Sequence, residues 1–165
     1  VQYGAFVVLT GGSEEAEIIR QVSAHMEQKP LVAVGEFSVP QLAALIERCA
    51  LLISNDTGPM HIGPAVGTPT LGLFGPELPL RYRPYGSGHV AIHQPLECSP
   101  CINIHEGPGG GCVNPAGHLC MQLITVESVW KEAQAQLETI LAAGLARSGN
   151  RSKESDVLRR REREA

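Results

Sequence analysis

The segment Ser54–His61, which reads SNDTGPMH, brings several chemically capable side chains close together in the chain. It contains a carboxylate at Asp56, a hydroxyl at Thr57 and an imidazole at His61. These groups can bind sugar hydroxyls and balance the charge of a phosphate. The segment follows an apolar run and leads into Pro59, a pattern that predicts a strand, a tight turn and the start of a helix. Because phosphates bind at helix N-termini and ligands bind at the carboxyl ends of strands in open α/β sheets, we hypothesise that this turn holds a sugar nucleotide.

Each residue of this turn also has a plainer interpretation. Asp56 could be a turn or helix-capping carboxylate, worth about 1 kcal/mol; as a ligand group it must face the sugar, because a pyrophosphate would repel it. Thr57 and Gly58 can cap the helix and still offer backbone N–H groups to a diphosphate. His61 is either an ordinary surface or core histidine or an imidazolium that neutralises diphosphate charge. Met60 is expected to pack against the nucleotide or against the next strand.

The elements that must position this turn follow from the hydrophobic pattern of the chain. Helices are predicted to begin at Ser13, Ser38 and Pro59, and a long helix follows a capping-box pattern at Thr125–Ser128. Strands that alternate with short helices predict βα units and a parallel sheet, and therefore an α/β fold class. Short apolar runs ended by turn residues predict five strands, at residues 6–9, 31–34, 51–54, 69–74 and 89–92.

Length and composition indicate one globular domain with a charged extension. The 165 residues are 43% hydrophobic but only 4% aromatic, so the core must consist mainly of aliphatic side chains. We predict one domain over residues 1–146, with an irregular, cysteine-rich excursion at 95–120. Residues 147–165 are charged and poor in apolar groups, which predicts a disordered tail or a solvent-exposed helix. The chain begins at Val1 without an initiator methionine, so we expect a fragment of a longer protein.

The charge distribution restricts the partners and the location. The net charge is −4, but residues 147–165 carry a net +3 and the remaining residues a net −7. An acidic body argues against nucleic-acid binding, which needs a basic face. No apolar run approaches the ~18 residues that span a bilayer, and no signal-peptide pattern is present. We expect a cytoplasmic protein whose basic tail is either solvated or in peripheral contact with the anionic inner face of the inner membrane.

A second candidate site lies in the irregular excursion, where four cysteines occur: Cys98, Cys101, Cys112 and Cys120. A loop of this length without a core of its own needs a cross-link. A structural zinc ion bound by four thiolates, or by three thiolates and a histidine, fits a reducing cytoplasm. The gap between the second pair of cysteines is longer than in most zinc sites. Two disulfides and simple free thiols therefore stay open as alternatives.

The stretch that begins at Ser54, SNDTGPMHIGPAVGTPTLGLFGP, strongly resembles glycosyltransferase family nine, the ADP-heptose:lipopolysaccharide heptosyltransferases. Its rare octapeptide, with a predicted strand on each side, makes the match specific. The resemblance covers about residues 5–130. Further matches are the Leu9–Gly12 turn with its acidic helix start, the Tyr85–Gly86 loop, the Cys98–Cys101 motif and the run Cys120–Glu127.

The resemblance implies a GT-B enzyme, in which two Rossmann-like domains face each other across a cleft. This chain resembles the C-terminal half, a Rossmann-like parallel sheet with flanking helices that binds the nucleotide sugar. The implied function is binding of an ADP-heptose-like donor for heptose transfer to the lipopolysaccharide inner core. The family's catalytic base, its contacts with the lipopolysaccharide acceptor and a lysine of the first strand would precede Val1. The alternative is a non-catalytic module that binds a sugar nucleotide or docks a partner.

The resemblance also implies roles for individual residues. Asp56 would accept hydrogen bonds from the sugar, and His61 would stabilise the leaving diphosphate, so that transfer needs no metal cofactor. Glu14, or Glu17 in its place, would take the ribose hydroxyls. Phe37 would line the adenine slot or simply pack in the core. Four residues of the first turn would form the nucleoside side of the pocket: Thr10, Gly11, Gly12 and Glu14.

Overall fold

The computed structural model describes residues 3–102 and 111–161, with side chains as far as Ala143. It consists of parallel strands flanked by helices, which confirms the predicted α/β class. The chain divides into two compact units, residues 1–45 and residues 46–165. The single domain over residues 1–146 stays a prediction.

The first unit is built on a two-stranded parallel sheet. In chain order its elements are β1 (Val8–Gly11), a 3₁₀ turn (Ser13–Glu15), α1 (Ala16–Ala24), β2 (Leu31–Val34) and the start of α2 (Val39–Glu47). The register sets Gly11 beside Val34, and the Gly35 N–H donates to the Gly11 carbonyl at 2.8 Å. Gly35 has a positive φ of 66°, a conformation that glycine adopts without strain. The turns that follow β1 and β2 therefore lie at the same edge of the sheet.

The first helical segment begins differently from the prediction, which made Ser13 its N-cap. Gly12 precedes the 3₁₀ turn, and its N–H donates to Glu15 Oε2 at 2.8 Å. The Ser13 hydroxyl instead lies 3.4 Å from Glu14 Oε2. The prediction is wrong because a carboxylate two positions later reaches back to the turn, and a charged acceptor makes the stronger bond.

The second unit is built on a three-stranded parallel sheet. In chain order its elements are β3 (Leu52–Asn55), α3 (Gly58–Ala65), β4 (Thr70–Phe74), α4 (Pro79–Tyr82), β5 (Val90–His93), α5 (Leu119–Gln122) and α6 (Val126–Arg161). The strand order in the sheet is β3-β4-β5. The strands of the described residues lie within two residues of their predicted positions, whereas α4 and α5 have no predicted counterpart.

Both faces of this sheet are covered by helices. Successive side chains of a strand point to opposite faces, so each strand contributes contacts to both. On one face Leu71 and Ile92 pack with Ala133 of α6. On the other face Met60 of α3 approaches β4 at Gly72, where an added Cβ would lie 2.6 Å from the Met60 sulfur. The sheet is therefore held between α3 and α6, and its carboxyl edge stays available for turns.

Helix α6 is the longest element and extends to Arg161, into the charged segment. Its start matches the predicted capping pattern, since the Ser128 N–H donates to Thr125 Oγ1 at 3.2 Å. Within the described residues, no helix combines the length and the apolar character that crossing a bilayer requires. The tail boundary at residue 147 stays a prediction.

The residue before β5, His89, ties that strand to the start of β4. Its Nδ1 accepts a hydrogen bond from the Thr70 N–H at 3.1 Å. A ring nitrogen that accepts a bond must be unprotonated, so this contact requires the neutral imidazole. In agreement, burial lowers the pKa of His89 below its usual value of 6.5.

We expect the free energy of unfolding to fall as the pH is lowered from 6.5, the ordinary pKa of the His89 imidazole. The unfolded chain takes up a proton there, whereas the folded chain resists protonation until a lower pH, so the contribution of His89 is complete above 6.5 and lost below it. The bond at stake is worth about 1 kcal/mol. Urea unfolding at several pH values measures this decline. His89→Gln, which has no proton to gain, should show a shallower decline, and an equal decline in both proteins would contradict the assignment.

Candidate functional site

The turn that follows β3 is held by backbone hydrogen bonds at the carboxyl edge of the second unit's sheet. The Asp56 N–H donates to the Leu73 carbonyl of β4 at 3.1 Å, which extends the β3–β4 ladder by one residue. The Thr57 N–H donates to the Asn55 carbonyl at 2.8 Å, and α3 begins at Gly58. The backbone of the predicted strand–turn–helix is therefore confirmed, and the sheet fixes its position.

Thr57 occupies the N-cap position of α3, as predicted, but its side chain makes no capping bond. Its hydroxyl lies 3.4 Å from the Asn55 carbonyl and 3.5 Å from the Ser54 hydroxyl. Because the Thr57 N–H is committed to the turn, Gly58 is the first amide of the helix that a ligand could use. Apart from its chain neighbours and the backbone of α3, a Cβ added to Gly58 would meet no atom within 4 Å, so the space beside its Cα is open.

Asp56 is a half-buried carboxylate whose surroundings penalise its charge. Burial raises the pKa of Asp56 above its usual value; the His61 imidazole opposes this shift and the Glu77 carboxylate adds to it. Within the described part of the chain, no hydrogen-bond donor reaches the Asp56 carboxylate. Asp56 therefore does not cap α3, and its acceptor oxygens are available to a ligand.

Glu77 is a site residue that the sequence analysis missed. It follows β4 after Gly75 and Pro76, it is only 7% exposed, and its Oε1 accepts the N–H of Leu78 at 2.8 Å. It lies close enough to Asp56 to raise the pKa of that carboxyl group. The signal that could have found it is its place: like Asp56, it follows a strand at the carboxyl edge of a parallel sheet.

His61 and Met60 are neighbours in α3 with opposite exposures. His61 is exposed, and its imidazole acts on the Asp56 carboxylate. Met60 is completely buried and packs on β4 at Gly72. Of the two predicted partners of Met60, the structure shows the strand. The structure thus shows the strand contact of Met60, and its place among the binding residues stays a prediction.

In the first unit, two carboxylates fold over the turn that follows β1. The Glu15 carboxylate bonds the Gly12 N–H and lies 2.7 Å from the position of a Cβ on Gly11. The Glu14 carboxylate occupies the space where a Cβ on Gly12 would be. Both carboxylates thus lie close over the glycines of this turn, and the Glu14 carboxylate lies at the carboxyl edge of the sheet with the exposed Thr10.

The structure favours Glu14 over Glu17 as the acceptor for ribose hydroxyls. Glu17 is engaged by Arg20 at 2.7 Å and 2.8 Å, and these bonds hold the pKa of Glu17 below its usual value. Among the described residues, the Ser13 hydroxyl is the one hydrogen-bond partner of the Glu14 side chain, at 3.4 Å. Phe37 follows β2 and is 38% exposed, and both alternatives for it, the adenine slot and core packing, stay predictions. That the turns of both units serve one nucleotide-sugar pocket stays a prediction.

The four cysteines of the excursion gather in the second unit around Cys101. Burial raises the pKa of the Cys101 thiol, and Cys112, Cys120 and Cys98 raise it further. All four are free thiols. Among the described residues, no three His, Cys, Asp or Glu side chains stand close enough to hold a metal ion as they are. The zinc and disulfide alternatives both stay predictions.

Comparison with known proteins finds relatives of one kind. The family model for glycosyltransferase family 9 (heptosyltransferase) matches residues 1–107. The lipopolysaccharide core heptosyltransferase OpsX of Haemophilus influenzae is 38% identical over 73 residues, which are 44% of this chain and 21% of that protein. Lipopolysaccharide heptosyltransferase 3 of Escherichia coli K12 is 36% identical over 87 residues, which are 51% of this chain and 25% of that protein. The matched part of the chain thus spans a quarter or less of these relatives.

Two solved structures resemble the chain. The crystal structure of the glycosyl transferase family 9 from Veillonella parvula has a TM-score of 0.65 at 33% identity, and the match covers 84% of this chain and 38% of that one. The structure of the Escherichia coli ADP-heptose lipopolysaccharide heptosyltransferase II has a TM-score of 0.66 at 23% identity, with the same coverage of both chains. At that identity the second likeness concerns the fold alone.

Proposed function

From the premise that the chain belongs to glycosyltransferase family 9, the heptosyltransferase family, we propose that it binds the ADP-sugar donor of such an enzyme. The relatives are named lipopolysaccharide heptosyltransferases. The proposed donor is therefore an ADP-heptose, and the proposed acceptor is a sugar of the lipopolysaccharide inner core. In this proposal the chain forms the donor half of a GT-B enzyme, and another domain supplies the acceptor contacts.

The observation that carries the proposal is the Asp56 carboxylate, half-buried and without a hydrogen-bond donor in the described part of the chain. A desolvated carboxylate gains most from donors that arrive with a ligand, since an unpaired buried charge is costly. Sugar hydroxyls are such donors, whereas a pyrophosphate carries none and is repelled. The buried Glu77 carboxylate nearby strengthens this preference for a neutral, hydroxyl-rich group.

The diphosphate belongs on the other side of the turn, at the start of α3. There the space beside the Cα of Gly58 is open, and the exposed His61 follows one turn of helix later. Both the amide and the imidazolium favour negative charge. The proposed site thus sorts its ligand by charge, with the sugar toward Asp56 and the phosphates toward Gly58.

The proposed adenosine contacts are those of the first unit. Glu14 would accept the ribose hydroxyls, because Glu17 is engaged by Arg20. The exposed Phe37 ring offers a surface on which adenine can stack. The turn that follows β1, with Thr10, Gly11 and Gly12, would line the same nucleoside side of the pocket.

The proposed reaction is a single displacement with inversion. The acceptor oxygen forms a bond to the anomeric carbon as the bond between that carbon and the diphosphate breaks, and ADP leaves with the electron pair. The proton of the acceptor hydroxyl goes to a carboxylate base that the family resemblance assigns to the N-terminal domain. Here His61 has an electrostatic role, since a fixed positive charge near the leaving diphosphate stabilises the transition state. In this proposal the step needs no metal, and it takes place at the cytoplasmic face of the inner membrane.

Calorimetric titration of the chain with ADP and with ADP-heptose tests the proposal. We expect both to bind, and ADP-heptose to bind more tightly. A folded sample that binds neither would contradict donor binding. A transfer assay with the complete protein and a lipopolysaccharide precursor then separates the enzyme from the non-catalytic module, which would bind the donor without turnover.

Gly58→Ala should weaken ADP binding about tenfold, because the added methyl group would stand in the open space that the phosphate needs to approach the Gly58 N–H; a loss of that size corresponds to about one amide–phosphate hydrogen bond. The added methyl group meets no protein atom within 4 Å, so folding should not change. Titration with ADP and with adenosine, together with a thermal melt, measures the effect. Adenosine has no phosphate and serves as the matched control; an equal loss for adenosine would place the phosphates elsewhere.

A further inference from the structure

The loop that follows β4 carries the two most exposed large apolar side chains of the described residues. Leu80 is 89% exposed and Tyr85 is 90% exposed. We call residues 78–88, which contain both side chains and α4, the α4 loop. Single apolar side chains on a protein surface are common, but two in one short loop that make almost no protein contact indicate a binding surface.

The backbone of the α4 loop is held at both ends. At its start, the Leu78 N–H donates to the Glu77 carboxylate at 2.8 Å. The Arg83 N–H then donates to the Pro79 carbonyl at 2.9 Å and closes α4. At the end of the loop, the His89 imidazole accepts its hydrogen bond from β4. The two apolar side chains are therefore exposed although the backbone that carries them is held in place.

The α4 loop is also a basic part of an acidic chain. Arg81 and Arg83 are both exposed, and residues 78–96 contain no Asp or Glu, whereas the whole chain has a net charge of −4. Within the part of the chain that the structure describes, no carboxylate forms an ion pair with either guanidinium group. The loop thus carries two positive charges that the protein leaves unneutralised.

Both kinds of side chain point away from the protein. Arg83 has an extended backbone, with φ −56° and ψ 155°, and Pro84 after it is buried. Successive side chains of an extended segment point to opposite sides, so Arg83 and Tyr85 share the outward side. In α4 the consecutive residues Leu80 and Arg81 are exposed as well. Each apolar side chain therefore has a guanidinium group close to it in the chain.

We propose that the α4 loop docks on the surface of an anionic lipid bilayer. Leu80 and Tyr85 enter the interface between headgroups and hydrocarbon, where tyrosine rings are favoured. Arg81 and Arg83 bind the phosphate groups of the lipids, for which the guanidinium fork is well suited. The two contacts act together, since stable attachment to a bilayer needs more than one signal.

The combination of charged and apolar groups favours a bilayer over other occupants. A soluble anion would pair with the guanidinium groups but would leave Leu80 and Tyr85 in water. A protein partner would need a carboxylate opposite each arginine within an apolar patch. In an anionic bilayer the phosphate groups lie directly above hydrocarbon, so one surface takes both kinds of side chain. The rest of residues 1–146 is acidic and is repelled by this surface, which directs the α4 loop toward the lipid.

A bilayer on the α4 loop has a consequence for the candidate site. The loop follows β4 at the carboxyl edge of the sheet, and the turn at Asp56 joins β4 at the same edge through the Leu73 carbonyl. The bound lipid surface and the candidate site therefore belong to one edge of the sheet. The inference does not rest on the proposed function, because no nucleotide or sugar takes part in it.

The test is cosedimentation of the full chain with vesicles of phosphatidylglycerol and phosphatidylethanolamine, compared with vesicles of phosphatidylcholine. We expect a partition coefficient about tenfold higher or more for the anionic vesicles, which falls as salt is added. Arg81→Gln combined with Arg83→Gln should lower this coefficient about 25-fold, since each arginine contributes about fivefold. Leu80→Ser combined with Tyr85→Ser should lower it about tenfold or more.

Two exposed residues outside the loop provide matched controls. Arg48→Gln removes an exposed positive charge, and Val126→Ser removes an apolar side chain that is 80% exposed. Neither should change the partition coefficient. Equal binding to both kinds of vesicle would overturn the proposal, as would loop variants that bind as well as the unaltered chain. Displacement of the chain by an equal concentration of glycerol phosphate would indicate a site for soluble anions and would also overturn it.

A fluorescence measurement separates insertion from simple attraction of charges. Tyr85→Trp places an indole in the α4 loop, and its emission should move to shorter wavelength when anionic vesicles are added. Val126→Trp is the control and should show no shift beyond that of the native Trp130. Absence of a shift for Tyr85→Trp would overturn the proposal. So would vesicle binding by the chain that disappears in the complete protein, because another domain would then cover the loop.

Discussion

Asp56→Asn should weaken the binding of ADP-heptose about 10- to 100-fold, because hydrogen bonds to a charged group contribute about 1.5–3 kcal/mol. The amide keeps the shape of the carboxylate but loses its charge and one acceptor oxygen. The binding of ADP itself should be unchanged or slightly tighter, since ADP offers no sugar hydroxyl to Asp56 and is freed from a repelling charge. Paired calorimetric titrations with the two ligands measure the difference.

The matched control for this substitution is Glu47→Gln, which removes an exposed carboxylate at the end of α2. It should change neither affinity. If Asp56→Asn weakened ADP and ADP-heptose equally, the carboxylate would not face the sugar, and the sorting of the ligand by charge would be wrong. Asp56→Ala should likewise weaken the binding of ADP-heptose more than the binding of ADP.

Gly63→Ala should lower the free energy of unfolding by about 1–3 kcal/mol, the usual cost of forcing an extra carbon into a packed core. The new methyl group would collide with the Thr70 hydroxyl and lie 3.0 Å from Cδ2 of Leu52. Thr70 cannot move aside easily, because it is completely buried and its hydroxyl donates to the Thr68 carbonyl at 2.9 Å. The midpoint of urea unfolding measures the loss.

Gly58→Ala is the control for this prediction, since both glycines lie in α3 and only Gly63 faces β4. The two variants should separate stability from binding: Gly63→Ala unfolds earlier, and Gly58→Ala folds normally but binds ADP less well. An unfolding midpoint for Gly63→Ala equal to that of the unaltered protein would show that α3 does not approach β4 so closely.

The strands and the main turn could be predicted because their signals are local. Leu31–Val34 is an apolar run ended by a glycine, and it forms β2 with the predicted bounds. The Asn55–Gly58 turn combines small polar residues with a proline at the helix start, and both sides of it are as predicted. The roles predicted for Asp56 and His61 came from the family octapeptide, and no periodicity could have supplied them.

What the sequence could not predict depends on contacts between distant residues. Glu77 reads as an ordinary loop carboxylate until the sheet places it beside Asp56 and buries it. The residue type of Met60 does not reveal whether its side chain packs against a nucleotide or against a strand. Its packing on the strand is visible only in the structure, where its sulfur approaches Gly72. Ser13 is a residue type that often caps helices, but in this turn the Glu15 carboxylate accepts the hydrogen bond from the Gly12 N–H.

The hydrogen bond from Asp56 to Leu73 also bears on the thermodynamics of recognition. A binding loop that is unstructured before it meets its ligand loses conformational entropy on association, and that loss is subtracted from the affinity. Here the turn is already continuous with the sheet ladder, so its backbone has little freedom left to lose. In the proposed site the entropy of ordering would then fall mainly on the ligand, whose rotatable diphosphate would settle beside a turn with an already fixed backbone. A stiffer donor analogue would therefore gain affinity in a way that stiffening the protein could not.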